Sequence, residues 1–141
     1  MILRLATGVL LTLASSAQAQ PAPDPAKAFD DLQRVLKSVR VVWEQYEDVD
    51  RITTQKVAGA ACQPLWTQTR VDRDGTDPVV ESSVVDMYDM TQVEVFDDSV
   101  EYTTPNGSQD VTSVETQSEA KAIELAAALD ALRTACQRQG R

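Results

Sequence analysis

The stretch TQSEAKAIELAAALDALRTAC, running from Thr116 to Cys136, decides how the rest of the chain is read. Leu125, Leu129, Leu132 and Cys136 recur at the spacing that lines up one helical face, so the segment predicts an amphipathic helix with a single buried stripe. Thr116 followed by Glu119 reads as a capping box, in which hydroxyl and carboxylate satisfy amides that a first helical turn leaves unpaired. Ala120, Ala122, Ala126, Ala127, Ala128 and Ala131 add helix propensity, and Gly140 is a natural stop beyond the last apolar residue. A helix with one apolar stripe needs a surface to cover it.

The segment from Cys62 to Val114 supplies that surface in another pattern: threonine, valine and aromatic residues in short runs separated by turn chemistry. Leu65, Thr67, Thr69 and Val71 alternate with Trp66, Gln68 and Arg70, as a half-buried strand requires. The turn Asp72 to Pro78 leads to a second strand at 79–85. A polar link through Asp89 precedes two more, Gln92 to Phe96 and Ser99 to Thr104, around Asp97-Asp98. With a tight turn there, Val95 faces Val100 and Val93 faces Tyr102. A fifth strand, Gln109 to Val114, follows Pro105-Asn106-Gly107-Ser108, and Asn-Gly is a strong hairpin signal.

Before the strands, Asp24 and Pro25 make a helix start, one as cap and the other at the first helical position. Phe29, Leu32, Leu36, Val39, Trp43 and Tyr46 follow at steps of three and four, which predicts a long helix to at least Tyr46. The β-branched Val39, Val41 and Val42 also suit a strand, and 48–61 fits either state. Met1 to Ala19 has the layout of a secretory signal peptide: Arg4, an apolar run from Leu5 to Leu13, then small Ala17 and Ala19. That run is shorter than the roughly 20 residues a membrane-spanning helix needs. The expected organisation is a signal peptide at 1–19, a proline-rich spacer at 20–25 and one globular domain at 26–139.

The expected class is α+β, a meander of about five antiparallel strands packed against an N-terminal and a C-terminal helix, because sheet and helices each have one apolar face to cover. The alternative is a strongly bent sheet or small barrel plugged by the last helix. That element order resembles pleckstrin-homology-like domains; the resemblance is one of order alone and implies no activity.

Two cysteines in an exported chain pair as a rule, so Cys62 and Cys136 are expected to staple the closing helix to the sheet. No histidine occurs, which removes histidine-dependent triads and the usual base near neutral pH. The glycines at 8, 59, 75, 107 and 140 form no phosphate-binding fingerprint. Carboxylate chemistry survives, but adjacent acids such as Asp30-Asp31 and Asp97-Asp98 do not converge on one substrate. Asp72, Asp74 and Glu81 fall at the third, fifth and last positions of a calcium loop. Arg70 stands where its first carboxylate belongs, so Ca2+ is a weak candidate and no other cofactor is indicated. Glu94 and Glu101 oppose each other across the predicted hairpin.

The 22 acidic against 13 basic residues, net −9, repel nucleic acid phosphates and anionic lipid, and nothing after residue 19 predicts membrane insertion. The expectation is a periplasmic or secreted non-catalytic module that binds an envelope or extracellular protein or a small ligand. Trp66 and Arg70 are its candidate contact residues. The alternatives are an acidic structural or cation-binding envelope protein and, behind it, a carboxylate-only hydrolase. A cavity lined by Trp66 and an acid favours the first reading, and an open acidic face favours the second.

Overall fold

In the computed structural model, which describes residues 21, 23–39, 41–44, 50–71, 78–106 and 108–141, Asp24 caps helix α1 (Pro25–Ser38) by accepting from the amide of Ala26. Pro25 is the first helical residue, where its missing N–H costs nothing. The helix stops eight residues short of Tyr46. Val39 is already extended, at φ −93° and ψ 124°, and strand β1 (Val41–Glu44) follows. The β-branched cluster therefore outweighs the continuing apolar spacing. Val39 stays buried on either backbone, which is why its spacing misleads. Tyr46 and the side chain of Trp43 lie outside the described residues, as do the signal segment 1–19 and the turn at 72–77.

Among the described residues the predicted five-stranded meander is corrected to seven strands in two antiparallel sheets. Strands β1, β2 (Asp50–Ala60), β3 (Gln63–Val71) and β4 (Val79–Val84) form one sheet in that order. Strands β5 (Gln92–Phe96), β6 (Ser99–Asn106) and β7 (Ser108–Glu115) form the other. The segment at 48–61, open between helix and strand, is strand from Asp50 to Ala60. Its hairpin with β3 brings Gly59 opposite Pro64 with φ +86°, a backbone where any side chain is strained. The two sheets share no ladder among the described residues, so the barrel alternative does not close.

The break between sheets lies in the link after β4. It reads as polar around Asp89, but Val85, Met87 and Met90 within it are buried, the methionines completely. Their burial holds the chain down against helix α2 (Glu119–Gln139), so it crosses to a new sheet instead of turning back on β4. Gln137 of α2 fixes the crossing, its Nε2 lying 2.8 Å from the carbonyl oxygen of Met90 and 3.3 Å from those of Met87 and Tyr88. In the second sheet the expected registers hold: Val95 opposes Val100, Val93 opposes Tyr102, and Glu94 opposes Glu101. Asp97 supplies the positive φ of +50° that the two-residue turn needs.

Helix α2 buries Leu125, Leu129, Leu132 and Cys136 as its sequence predicts, together with Ala122, Ala126 and Ala135. Its start differs from the predicted capping box. Ser118 is the N-cap, accepting from the amide of Lys121, and Glu119 is the first helical residue. Thr116 is instead buried, its hydroxyl 2.7 Å from the carbonyl oxygen of Asp98 and 2.8 Å from that of Ser118. Leu32 and Leu36 of α1 join the α2 stripe, Val57, Trp66, Val100, Tyr102 and Val114 in one core cluster. At about 1.5–3 kcal/mol for each large aliphatic side chain, this burial is the main source of stability.

The disulfide between Cys62 and Cys136 is formed, with Cα atoms 5.5 Å apart and a sequence separation of 74. It ties the β2–β3 turn to the end of α2. The carbonyl of Cys62 also accepts from the amide of Met87, so bond, crossing segment and Gln137 meet at one end of the core.

Candidate functional site

Strand pairing sets the site. On β2, β3 and β4, Gln55, Gln68 and Glu81 are register partners in one row, and Val57, Trp66 and Ser83 form the next row on the same face. In the other sheet Tyr102 of β6 opposes Thr112 of β7. These faces approach each other where the rings of Trp66 and Tyr102 meet, with centroids 6.1 Å apart and planes tilted by 36°. Beside that contact lies a cavity of about 300 Å³, lined from one sheet by Gln55, Trp66, Gln68, Glu81 and Ser83 and from the other by Tyr102, Thr112 and Val114.

The aromatic pair belongs to the core and to the cavity wall at once. Trp66 is 6% exposed and donates from Nε1 to Oε1 of Gln55 at 2.7 Å. Because an indole nitrogen only donates, this bond fixes the amide orientation and leaves Nε2 of Gln55 as a donor, with no partner among the described residues. Burial pushes the Tyr102 phenol above the ordinary tyrosine value, and a hydrogen bond with Thr112 pulls the other way. The cavity therefore has one rigid aromatic wall and a lining of amides and hydroxyls, with Glu81 its one carboxylate among the described residues.

Of the predicted contact residues, Trp66 lies within the wall and is not exposed. Leu65, on the opposite face of β3, is 43% exposed. The backbone of Arg70 is paired between Thr53 and Val79, while its side chain lies outside the described residues. Glu81 lines the cavity from exposed strand β4, whereas Asp72 and Asp74 lie outside the described residues. Among the described residues no group of three or more acids or cysteines is placed to hold a metal ion. The adjacent acids do not converge: Asp97-Asp98 occupy an exposed turn, and Asp31 pairs with Arg34 on the surface of α1.

Gln55, Gln68, Tyr102 and Thr112 enter the site without a sequence signal. Gln55 lies in the stretch where helix and strand could not be told apart, and the side chains of Tyr102 and Thr112 meet only through pairing. No protein-family model, curated protein or solved structure matches the chain. The functional reading therefore rests on the geometry of the site.

Proposed function

We propose that this protein is a binding module whose ligand seats between the two sheets, against Trp66 and Tyr102. The observation that carries the reading is the cavity of about 300 Å³ with a buried aromatic pair as its wall and polar side chains around it. Ligand sites combine an apolar wall with a few placed polar groups, and this volume lies at the small end of their range. The lining suits a small, polar, uncharged molecule or a short extended peptide, which would hydrogen-bond to Gln68, Ser83 and Thr112. The buried disulfide supports a location in an oxidising compartment, periplasmic or extracellular, and no described helix is long and apolar enough to cross a membrane.

A second reading, recognition of a protein strand, is favoured by β4. It is the edge of its sheet among the described residues, all six of its residues are exposed, and Val79, Val80 and Val84 are among them. A peptide added to that edge would run past the cavity mouth at Glu81 and Ser83.

The test is a fragment and short-peptide screen on isotopically labelled, oxidised protein, followed by nuclear magnetic resonance. A ligand of the cavity shifts the Trp66 indole N–H and the amides of Thr112 and Ser83 together, and Trp66→Phe weakens it. Peptides that shift only β4 amides select the second reading. If no compound moves either set, the binding proposal is wrong.

A further inference from the structure

We propose that two copies of this chain pair through strand β4, antiparallel and in one register, joining their four-stranded sheets about a twofold axis at Ser82. The proposal rests on the edge-strand reading of β4 and names the strand it recognises, its own.

The backbone shows which groups that edge offers. Strand β5 lies against α2 and β7 runs beside β1, whereas β3 is the element that packs extensively on β4 among the described residues. Just past β4, the amides of Val85 and Met87 donate at 3.0 Å to the carbonyls of Pro64 and Cys62, on the β3 side. Backbone groups alternate in direction along an antiparallel strand, so the odd-numbered residues of β4 point theirs at β3. Val80, Ser82 and Val84 point their N–H and C=O groups out of the sheet, where no ladder partner stands among the described residues.

An open edge alone selects no partner; the sequence of β4 does. Around Ser82 it reads Val80-Glu81-Ser82-Ser83-Val84, with a valine at the same distance on either side. Two such strands, antiparallel with Ser82 opposite Ser82, set Val80 against Val84 of the second copy and Val84 against its Val80. All of these pairs use the outward backbone groups, so each exchanges both hydrogen bonds. The two valines, 61% and 58% exposed on the face away from the cavity, cover their counterparts, and Leu65 beside Val84 extends the apolar row. On the cavity face Glu81 meets Ser83 of the second copy, which keeps carboxylates apart in a chain of net charge −9. The register centred on Glu81 fails twice. It opposes Glu81 to Glu81, and it sets Val84 against Pro78, which has no N–H to give. Because Glu81 and Ser83 also line the cavity, the two cavities open beside the seam on the same side of the joined sheet.

The experiment is sedimentation velocity with amide hydrogen exchange on the full oxidised protein over a concentration series. A monomer–dimer equilibrium is expected, in which the amides of Val80, Ser82 and Val84 gain protection as dimer forms while those of Glu81 and Ser83 are protected throughout. Val80→Lys/Val84→Lys opposes lysine to lysine across the axis and is expected to dimerise about tenfold or more weakly. Val80→Lys/Val84→Glu removes the same valines but opposes each lysine to a glutamate, and is expected to recover most of that loss. Net charge works the other way, since the first variant is the less negative chain, so recovery reports the local pairing. Unchanged melting of both variants separates association from folding. Equal association of the two variants, or a dimer that leaves the Val80, Ser82 and Val84 amides unprotected, overturns the pairing. A monomer at every concentration overturns it as well, while a foreign strand on β4 is read separately by the peptide screen.

Discussion

Trp66 and Gln55 are hydrogen-bonded side chain to side chain at 2.7 Å, and both are buried, at 6% and 8% exposure. They stand on neighbouring strands but not in the same row, since Trp66 opposes Val57 and Gln55 opposes Gln68. The bond is thus a diagonal brace across the β2–β3 hairpin. Gln55→Met leaves the indole N–H buried without an acceptor and is expected to cost about 1–3 kcal/mol in urea unfolding. Trp66→Phe loses ring area and also orphans the amide oxygen. If the brace is real, the double variant is more stable than the sum of the two losses, by about 1 kcal/mol. Strict additivity would show that the bond contributes nothing.

The disulfide closes a long loop, 74 residues in sequence separation, and so constrains the unfolded chain strongly. The chain-entropy model assigns it about 4 kcal/mol. Cys62→Ala/Cys136→Ala is expected to lower the urea midpoint accordingly, with the amides of the 85–91 crossing losing hydrogen-exchange protection first. That order follows from the bond between the Cys62 carbonyl and the Met87 amide. Uniform loss of protection would mean that the staple acts on the whole fold and not on this end of it.

What the sequence made legible follows from repetition. Leu125, Leu129 and Leu132 recur on one face over two turns, and strands around Asp97-Asp98 and Asn106-Gly107 are marked by turn chemistry, so α2 and the second sheet were readable. Of the first sheet, β3 and β4 were readable in the same way, but β1 and β2 were not. Val39 continues the apolar spacing of α1 in an extended backbone, hiding the helix end, and Met87 and Met90 sit alone in a segment that otherwise looks solvated. The site was least legible. Trp66 shares its face with Gln68, a pattern that reads as an outer face, because only the approach of a second sheet turns that polar face inward.

Gln137 is an exposed residue, yet its amide lies within reach of three backbone carbonyls, those of Met87, Tyr88 and Met90. These carbonyls belong to the crossing segment, which has no strand of its own to satisfy them. Gln137→Ala is expected to cost about 1–2 kcal/mol and to raise amide exchange at 87–90. Arg141→Ala, which removes exposed ion pairs with Asp86 and Asp89, is expected to leave the unfolding midpoint within error. Equal losses in the two variants would assign the stabilisation to charge instead of to the amide.

Burial raises the Tyr102 phenol above its ordinary 10.0. The folded state then holds that proton more tightly than the unfolded chain, so the contribution is fully present below the unfolded value and is lost as pH rises through the folded one. Stability is expected to fall from about pH 10 upward. Tyr102→Phe is expected to flatten that fall and to remove the late-ionising fraction of the tyrosine absorbance near 295 nm. The substitution also removes the hydrogen bond with Thr112, so the comparison is made on the slope against pH and not on absolute stability. An unchanged slope would show that Tyr102 is not the group responsible.

Strand β4 presents Val80 and Val84 on the face opposite the cavity, at 61% and 58% exposure, with Leu65 of β3 paired to Val84. An edge strand with unpaired backbone groups and apolar side chains is a template for another strand, and charges on such an edge suppress pairing. Val80→Lys/Val84→Lys is expected to lower concentration-dependent association in sedimentation velocity while changing stability by no more than about 0.5 kcal/mol per site. Because both residues face away from Trp66, cavity ligands are expected to bind the variant as before. A partner that adds a strand to β4 is expected to lose affinity for the variant. Loss of both kinds of binding would mean that the edge and the cavity form one site, with the bound peptide passing from one into the other.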